Sequence, residues 1–135
     1  PAEALPPGEW PDEDYPLILT TGRQLEHWHT GAMTRRARAL DTLEPEATAS
    51  LHPETLRLLD IKPGETMRLT TRRGSITLIA RADPALQRDM VFVPFAYVEA
   101  SANILTSPRL DPDGKIPEFK FSAVRAEKLN NIAAE

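Results

Sequence analysis

Cysteine is absent from the 135 residues of this sequence. Its absence excludes disulfides, thiolate metal sites and cysteine nucleophiles within the chain. No apolar run approaches the roughly 18 residues of a membrane span, and the chain begins with prolines and acids, unlike a secretory signal. We therefore expect no membrane contact from these residues. Because the chain begins at Pro1 without an initiator Met, we expect a fragment or a processed chain.

Basic residues are in the minority. Lys and Arg number 16 against 20 Asp and Glu, which gives a formal net charge of -4 at pH 7. A nucleic-acid-binding surface is usually strongly basic, so we expect no nucleic-acid partner. The sequence also lacks the glycine-rich nucleotide fingerprint, the P-loop and the nucleophile elbow. Asp111 and Asp113 lie in a turn-forming segment, where Asp commonly bonds its own backbone, so we do not expect them to be catalytic.

Composition divides the chain into three regions. Residues 1–14 are rich in proline and acids, and we expect a linker from upstream domains, with Trp10 docking on a neighbouring surface. Residues 15–126 have the size and the apolar content of one compact domain. Residues 127–135 are expected to form a C-terminal tail.

Short apolar or alternating runs between Gly and Pro predict a mainly β domain of five to seven strands with short helices. One helix is expected to begin at Pro53, with Leu56, Leu58 and Leu59 on its apolar face. Gly74, in a hairpin turn, can take the positive φ that such turns favour. Many short strands favour a barrel or a sandwich. The predicted strands are 16–21, 47–51, 67–71, 75–82, 90–95 and 119–124.

The segment from Thr20 to Arg38 carries the strongest chemical signal. It has four arginines against one acid, a local charge of +3, together with several hydroxyls and two glycines. Forked Arg donors and glycine backbone suit a pyrophosphate, and Trp28 or a histidine ring can stack on a flat heterocycle. The pattern therefore indicates a ligand with phosphate and an aromatic ring system. The alternative is a solvated arginine face, or one paired with acids such as Glu44 and Glu46.

A metal site is a second interpretation of the same segment. His27 and His29 are two residues apart and would share one face of a strand, which suits two imidazole ligands. No third ligand lies nearby in the sequence, although His52 or an acid could be supplied through the fold. A tetrahedral site normally needs three or four protein ligands. We therefore expect the histidines to clasp an organic cofactor rather than to bind a metal.

The run Thr21-Gly22-Arg23-Gln24-Leu25-Glu26-His27-Trp28-His29-Thr30-Gly31-Ala32-Met33-Thr34-Arg35-Arg36 resembles the C-terminal domain of formate dehydrogenase catalytic subunits, within the molybdopterin oxidoreductase (dimethyl sulfoxide reductase) family. Periplasmic and assimilatory nitrate reductases carry a similar run. The resemblance covers roughly residues 10–126, and its motifs come in the family's order. The further matching runs are 52–54, 59–64, 72–74, 92–95, 102–106, 111–112 and 117–120.

This resemblance implies a six-stranded double-psi β-barrel that binds molybdopterin guanine dinucleotide. In the parent enzyme two such molecules surround a molybdenum or tungsten atom. Phe95 is implied to lie on the substrate side, and no residue of the chain is implied to be catalytic or to bind the metal. The metal's protein ligand and the iron–sulfur cysteines lie upstream in the family. The implied cofactor-binding residues are Thr21, Gly22, Arg23, Gln24, Leu25, Glu26, His27, Trp28, His29, Thr30, Asn103 and Lys120.

Formate dehydrogenase, which oxidises formate to CO2, is the expected parent enzyme. The stretches 97–103 and 116–120 resemble the formate enzymes more closely than the nitrate reductases, although Phe121-Ser122-Ala123 replaces a cysteine-containing run of many relatives. A nitrate reductase is the first alternative, and a stand-alone barrel acting as an interaction module is the second. We expect the isolated chain to be inactive and its partners to be upstream domains of the same subunit. The expected location is cytoplasmic, with a periplasmic one as the alternative.

Overall fold

The computed structural model describes residues 5–129. Within them lie six strands, two α-helices and two 3-10 turns, and none of the helices is long and apolar enough to cross a membrane. The first four residues of the predicted linker and the last six of the predicted tail lie outside the described residues. The strands are β1 Leu17–Gly22, β2 Thr48–Leu51, β3 Thr66–Thr70, β4 Ser75–Ala82, β5 Met90–Pro94 and β6 Ser122–Lys128. The helices are α1 Arg38–Leu43 and α2 Pro53–Leu58, and the 3-10 turns are Thr34–Arg36 and Ala102–Ile104.

The six strands form one closed barrel in the order β1-β5-β2-β4-β3-β6, so no strand keeps a free edge. The pairs β1–β5 and β2–β4 are parallel, and the other four pairs are antiparallel. β5 lies between the consecutive strands β1 and β2, and β2 lies between the consecutive strands β4 and β5. Each arrangement is a ψ loop, and the two loops interlock. The predicted six-stranded double-psi barrel is therefore confirmed.

Alternating side chains fill the interior of the barrel. In β4, Ile76, Leu78 and Ala80 are buried, and the residues between them are exposed or half-buried. In β3, Met67 and Leu69 are buried and point inwards together. This period of two is the consequence of the strand pleat. Because a small barrel of this kind is packed with its own side chains, a ligand has to bind at an end and not inside.

Helix α2 begins at Pro53, as predicted. Pro53 occupies the first turn, where its missing N–H costs nothing, and the His52 ring caps the helix by accepting a hydrogen bond from the backbone N–H two residues later at 3.1 Å. Leu56 is buried and Leu59 packs against the core, whereas Leu58 is 76% exposed. The predicted apolar face is therefore right for Leu56 and Leu59 and wrong for Leu58.

The last strand is displaced from its predicted position. It runs from Ser122 to Lys128 and not over 119–124, because its antiparallel register with β3 continues until Lys128 lies opposite Met67. The tail predicted to start at residue 127 therefore begins within a strand. The polar residues Arg125, Glu127 and Lys128 conceal the end of β6 in the sequence, because none of them is fully buried.

Gly74 is required for a reason other than the one expected. It closes the β3–β4 hairpin by accepting a hydrogen bond from Thr71 N at 2.9 Å, but its φ is not positive. A Cβ at this position would lie 2.7 Å from Ile104 Cγ2. Close packing of the hairpin tip against the 3-10 turn Ala102–Ile104 therefore explains the glycine.

The described part of the predicted linker packs against the barrel. Gly8 N donates to the Glu118 carboxylate at 2.9 Å. Trp10 docks edge-on against Phe121, with ring centroids 5.7 Å apart, which is the kind of docking expected for this residue. Residues 5–14 therefore lie along the barrel surface rather than extending away from it.

Glu9 is the anchor of this segment. Its side chain is only 14% exposed and accepts hydrogen bonds from the guanidinium groups of Arg73 at 2.7 and 2.8 Å and of Arg72 at 3.0 Å. It also accepts from Ala123 N at 2.8 Å. Burial alone would raise the pKa of Glu9, but the bonds from Arg73, Ala123 N and Arg72 outweigh it, so the pKa lies below its usual value.

We predict that Glu9→Gln lowers the free energy of unfolding at neutral pH by roughly 2 kcal/mol, because charge-assisted hydrogen bonds are lost. A lowered folded pKa stabilises the fold above the ordinary Glu pKa of about 4.3, and this contribution disappears as the pH falls through the folded pKa. The difference between wild type and variant should therefore shrink below about pH 4. Urea unfolding at several pH values measures it. Glu13→Gln, at an exposed position, is the control and should show no such convergence.

Candidate functional site

An open cavity of about 740 Å³ lies at the end of the barrel where β1 and β5 finish. Because these strands are parallel, their carboxyl ends meet: Gly22 lies opposite Pro94, and Phe95 N donates to Gly22 O at 3.1 Å. The residues at and just after both ends therefore face the same space. The lining residues are Thr21, Arg23, His29, Thr30, Phe95, Tyr97, Val98, Ser101, Asn103, Phe119 and Lys120.

Three distant parts of the predicted site come together at this cavity. The segment after β1 contributes part of the run 21–30, the 3-10 turn contributes Asn103, and the approach to β6 contributes Lys120. Phe95, predicted for the substrate side, is also in the lining. Arg23 and Lys120 are far apart in the sequence. The barrel brings them together because β1 pairs with both β5 and β6.

Lys120 is held beside the end of β1 by a hydrogen bond to its backbone. Its Nζ donates to Thr21 O at 2.5 Å, and Thr21 Oγ1 donates in return to Phe119 O at 2.5 Å. These reciprocal bonds attach the 119–120 stretch to the end of β1. An ammonium group carries three donors, so Lys120 retains donors and a full positive charge for a ligand.

Arg23 and His29 form a stacked cluster with two aromatic rings. Arg23 Nη2 lies 2.7 Å from His29 Nε2 and its guanidinium lies over the Trp28 ring at 5.3 Å, while His29 stacks on Phe95 with centroids 6.3 Å apart. Arginine can only donate, so Nε2 accepts and the proton of the neutral His29 ring is on Nδ1. His29 also has a positive φ of 51°. The cluster holds one permanent cation and one ring N–H at the cavity.

His27 has a different environment and does not line the cavity. It is 1% exposed, and its Nε2 donates to Glu44 O at 2.8 Å, because a carbonyl oxygen can only accept. Nδ1 then accepts from Thr34 Oγ1 at 3.3 Å, and the same hydroxyl accepts from Trp28 N at 3.0 Å. His27 therefore fixes the course of the loop. The expectation that the two histidines share a strand face is wrong, since no strand forms here.

The histidines do not converge on a metal position. His27 is buried against the loop, His29 pairs with Arg23, and His52 caps α2. Among residues 5–129, no three His, Cys, Asp or Glu side chains are grouped closely enough to hold a metal ion.

Several predicted residues lie outside the cavity lining. A Cβ on Gly22 would lie 2.6 Å from the Phe92 ring, so Gly22 serves barrel packing. Leu25 is 96% exposed, and Trp28 is 57% exposed beside the cavity rather than in it. Glu26 is half-buried outside the lining.

Gln24 is half-buried behind the cavity wall. Its Oε1 lies 3.4 Å from the hydroxyl of Tyr97, which lines the cavity and has its stronger hydrogen bond with Glu44 O. Its Nε2 is buried and has no hydrogen-bond partner in the described structure. An unpaired buried donor is unfavourable, so this amide is available to a ligand or a water that reaches it.

The arginines of the segment 20–38 do not all have the same role. Arg35 bonds Glu99 at 2.6 Å and Asp41 at 3.3 Å, and it lies over the Tyr97 ring at 4.8 Å. Its hydrogen bond with Glu99 is the main reason why its pKa rises above the usual arginine value. Arg35 is thus a structural anchor, as the alternative interpretation held, although Glu44 pairs with Arg81 instead. Arg23 alone of this cluster lines the cavity.

Four lining residues were not predicted: Tyr97, Val98, Ser101 and Phe119. Tyr97 is buried, and its hydroxyl donates to Glu44 O at 3.0 Å. Burial is the main cause of its raised pKa. The signal that could have found Tyr97 and Val98 is their position just after Phe95, since consecutive residues that leave a strand end reach the same space.

We predict that Gly31→Ala destabilises the protein more than Gly64→Ala does. Both glycines have positive φ, 72° and 89°, which costs an alanine about 1–2 kcal/mol. A Cβ on Gly31 would additionally lie 2.6 Å from Ala96 O, whereas nothing lies within 4 Å of one on Gly64. Chemical denaturation of both variants measures the difference. Equal losses would mean that the loop at Gly31 can move away without cost.

The chain is similar in sequence to known proteins. A family model described as Molydopterin dinucleotide binding domain matches residues 17–123. The alpha subunit of F420-dependent formate dehydrogenase 1 from Methanococcus maripaludis is 42% identical over 123 residues, which cover 91% of this chain and 18% of that protein. The alpha subunit of the F420-dependent formate dehydrogenase from Methanocaldococcus jannaschii is 43% identical over 129 residues, which cover 96% of this chain and 19% of that protein.

A solved structure shares the fold. Acetylene hydratase from Pelobacter acetylenicus matches with a TM-score of 0.79 and 22% sequence identity, over 87% of this chain and 19% of that chain. At this identity the likeness concerns the fold alone. The chain spans less than a fifth of the length of the curated relatives described above.

Proposed function

This chain belongs to the Molydopterin dinucleotide binding domain family, and we propose that the cavity at the ends of β1 and β5 holds molybdopterin guanine dinucleotide. The observation that carries this proposal is that two cations from distant parts of the sequence, Arg23 and Lys120, line the same cavity together with polar and aromatic side chains. A volume of about 740 Å³ lies in the range of cavities that hold cofactors.

The donors of the cavity fit the chemistry of such a ligand. A pyrophosphate needs fixed positive charge and N–H donors, which Arg23 and Lys120 supply. A pterin or a guanine needs flat apolar contact and polar groups at its edges, for which Phe95, Asn103 and Ser101 are suitable. When bound, the cofactor carries molybdenum or tungsten and supplies the redox chemistry.

The roles of the predicted residues then separate into contact and support. We assign direct contact to Thr21, Arg23, His29, Thr30, Asn103 and Lys120, with Phe95 facing the substrate side. His27 supports the loop from behind, and Gly22 supports the barrel wall. Gln24 is a further candidate for contact through its unpaired Nε2. Leu25, Glu26 and Trp28 do not line the cavity, so we assign them no direct contact with the part of the cofactor inside it.

We further propose that the full-length protein is the catalytic subunit of a formate dehydrogenase. The two relatives described above, 42% and 43% identical to this chain, are alpha subunits named for that activity, and each is several times longer than this chain. The remaining domains would carry the metal's protein ligand and any iron–sulfur cluster. The exposed side chains of Leu25, Trp28 and Val98 lie in or beside the cavity region and suit burial by those domains.

We predict that Arg23→Ala and Lys120→Ala reduce the guanine and pterin content of the purified full-length protein by about tenfold, since each removes a charge-assisted contact. Cofactor extraction followed by chromatography measures both contents. Arg68→Ala, which removes the same charge from an exposed position on β3, is the matched control and should retain full content. Undiminished content in both cavity variants would refute the assignment of the cavity.

We predict that the full-length protein oxidises formate with an artificial electron acceptor and does not reduce nitrate, whereas the isolated chain does neither. The chain supplies binding and orientation, and the chemistry belongs to the metal. Parallel assays with formate and nitrate measure both activities. Nitrate reduction would favour the first alternative, and formate oxidation by the isolated chain would contradict the proposed division of roles. A full-length protein without pterin would favour an interaction module.

A further inference from the structure

Arg73 joins Glu9, in the segment before the barrel, to Leu105, which follows the 3-10 turn Ala102–Ile104. Its Nη1 and Nη2 donate to the two oxygens of the Glu9 carboxylate at 2.7 and 2.8 Å. Its Nε and Nη2 also donate to Leu105 O at 3.2 and 2.8 Å. The side chain is 22% exposed, so these bonds are partly shielded from water. The planar fork of arginine can satisfy both partners at once, which a lysine ammonium cannot do in the same geometry.

The Leu105 carbonyl ends the 3-10 turn that carries Asn103. Leu105 is fully buried, and its N–H donates to Ala102 O at 3.0 Å. Gly74 beside Arg73 packs directly on Ile104 of the same turn. The tip of the β3–β4 hairpin therefore packs against the 3-10 turn Ala102–Ile104, and Asn103 of this turn lines the cavity.

Glu9, the other partner of Arg73, connects it to the stretch that carries Lys120. Glu9 accepts from Ala123 N at 2.8 Å, at the start of β6. Ala123 lies three residues after Lys120, which lines the cavity and bonds Thr21 O. The Glu9 carboxylate is therefore bound to the hairpin on one side and to the end of the 119–123 stretch on the other.

Arg72 is a natural comparison within the same hairpin. It also bonds Glu9, at 3.0 Å, but its remaining partners are Asp12 and the ring of Tyr15, not the turn that carries Asn103. The two neighbouring arginines thus carry the same charge and both bond Glu9, but only Arg73 bonds Leu105 O. Glu9 itself precedes the region that the family model matches.

We propose that Glu9 and Arg73 are positioning residues, which together hold Asn103 and Lys120 at the spacing that the cofactor requires without touching the cofactor. The inference rests on the proposed function, because it assigns those two side chains to the cofactor. The Glu9–Arg73 pair connects the segment that precedes the barrel with both of these cavity walls. Loss of the pair should therefore loosen the two walls together and leave the barrel core unchanged.

Hydrogen exchange in the full-length protein tests whether the Glu9–Arg73 pair holds the two cavity walls. In Arg73→Ala, peptides that contain Leu105 and Ala123 should exchange about tenfold faster, as expected when a charge-assisted bond is lost. Core peptides from β4 should exchange faster only by the factor that the measured loss of global stability predicts. Arg72→Ala should leave the Leu105 peptide as in wild type. Equal effects of Arg72→Ala and Arg73→Ala at Leu105, or no effect of Arg73→Ala, would overturn the proposal.

Cofactor release from the full-length holoprotein tests the functional part. Arg73→Lys and Glu9→Gln preserve size and should still fold, and both should release pterin several-fold faster than wild type, with Arg73→Ala fastest. Leu78→Ala, a core variant, is the control for general destabilisation. If Arg73 acted only through overall stability, variants with the same loss in free energy of unfolding would release pterin at the same rate. Release at the wild-type rate from both milder variants, or equal release from Leu78→Ala, would overturn the proposal.

The two experiments separate this inference from the proposed function. If the wild-type protein contains no pterin dinucleotide, the proposed function fails, and the exchange of Leu105 and Ala123 still decides whether the pair holds the two segments. If the wild type contains the cofactor and Arg73→Ala releases it no faster, the proposed function stands and the positioning role is refuted.

Discussion

The parallel pairing of β1 with β5 is the constraint on which the rest of this structure depends. Parallel strands finish at the same edge, and in a closed barrel that edge is the rim of a packed cylinder. The loop after β1 and the residues after β5 are therefore brought face to face. Antiparallel pairing of β1 with β6 then adds the stretch before β6 as the third wall. The cavity is thus a consequence of strand direction rather than of any one motif.

The sequence predicted the barrel class and the main ligand-facing run, since these depend on local patterns. Alternating residues in β3 and β4 and the proline at the start of α2 need no knowledge of distant contacts. The end of β6 could not be predicted in this way, because its last residues are polar and stay in the sheet only through pairing with β3. The tertiary pairing outweighs the weak local preference.

Within the site, residue type alone could not separate contact from support. His27 and His29 are chemically identical and two positions apart, yet one is buried against Glu44 O and the other faces the cavity. Arg23 and Arg35 differ in the same way, because acids from α1 and from the loop after β5 reach Arg35 only in the folded chain. Tyr97 follows the predicted strand 90–95, but only the pairing of β5 with β1 shows that this strand ends at the site.

The order of the barrel strands is unchanged when β1, β2 and β3 are exchanged with β4, β5 and β6. This hidden two-fold relation maps the parallel pair β1–β5 onto the parallel pair β4–β2. A hydrogen bond also joins the second pair just past the strand ends, from Asp83 N to Leu51 O at 2.9 Å. At this second rim the segment after β2 is α2, whose Leu56 is buried, and the segment after β4, residues 83–89, contains no glycine. The backbone thus offers two equivalent rims. Whether a rim is a binding site or a plug is decided by the segment that follows the strand.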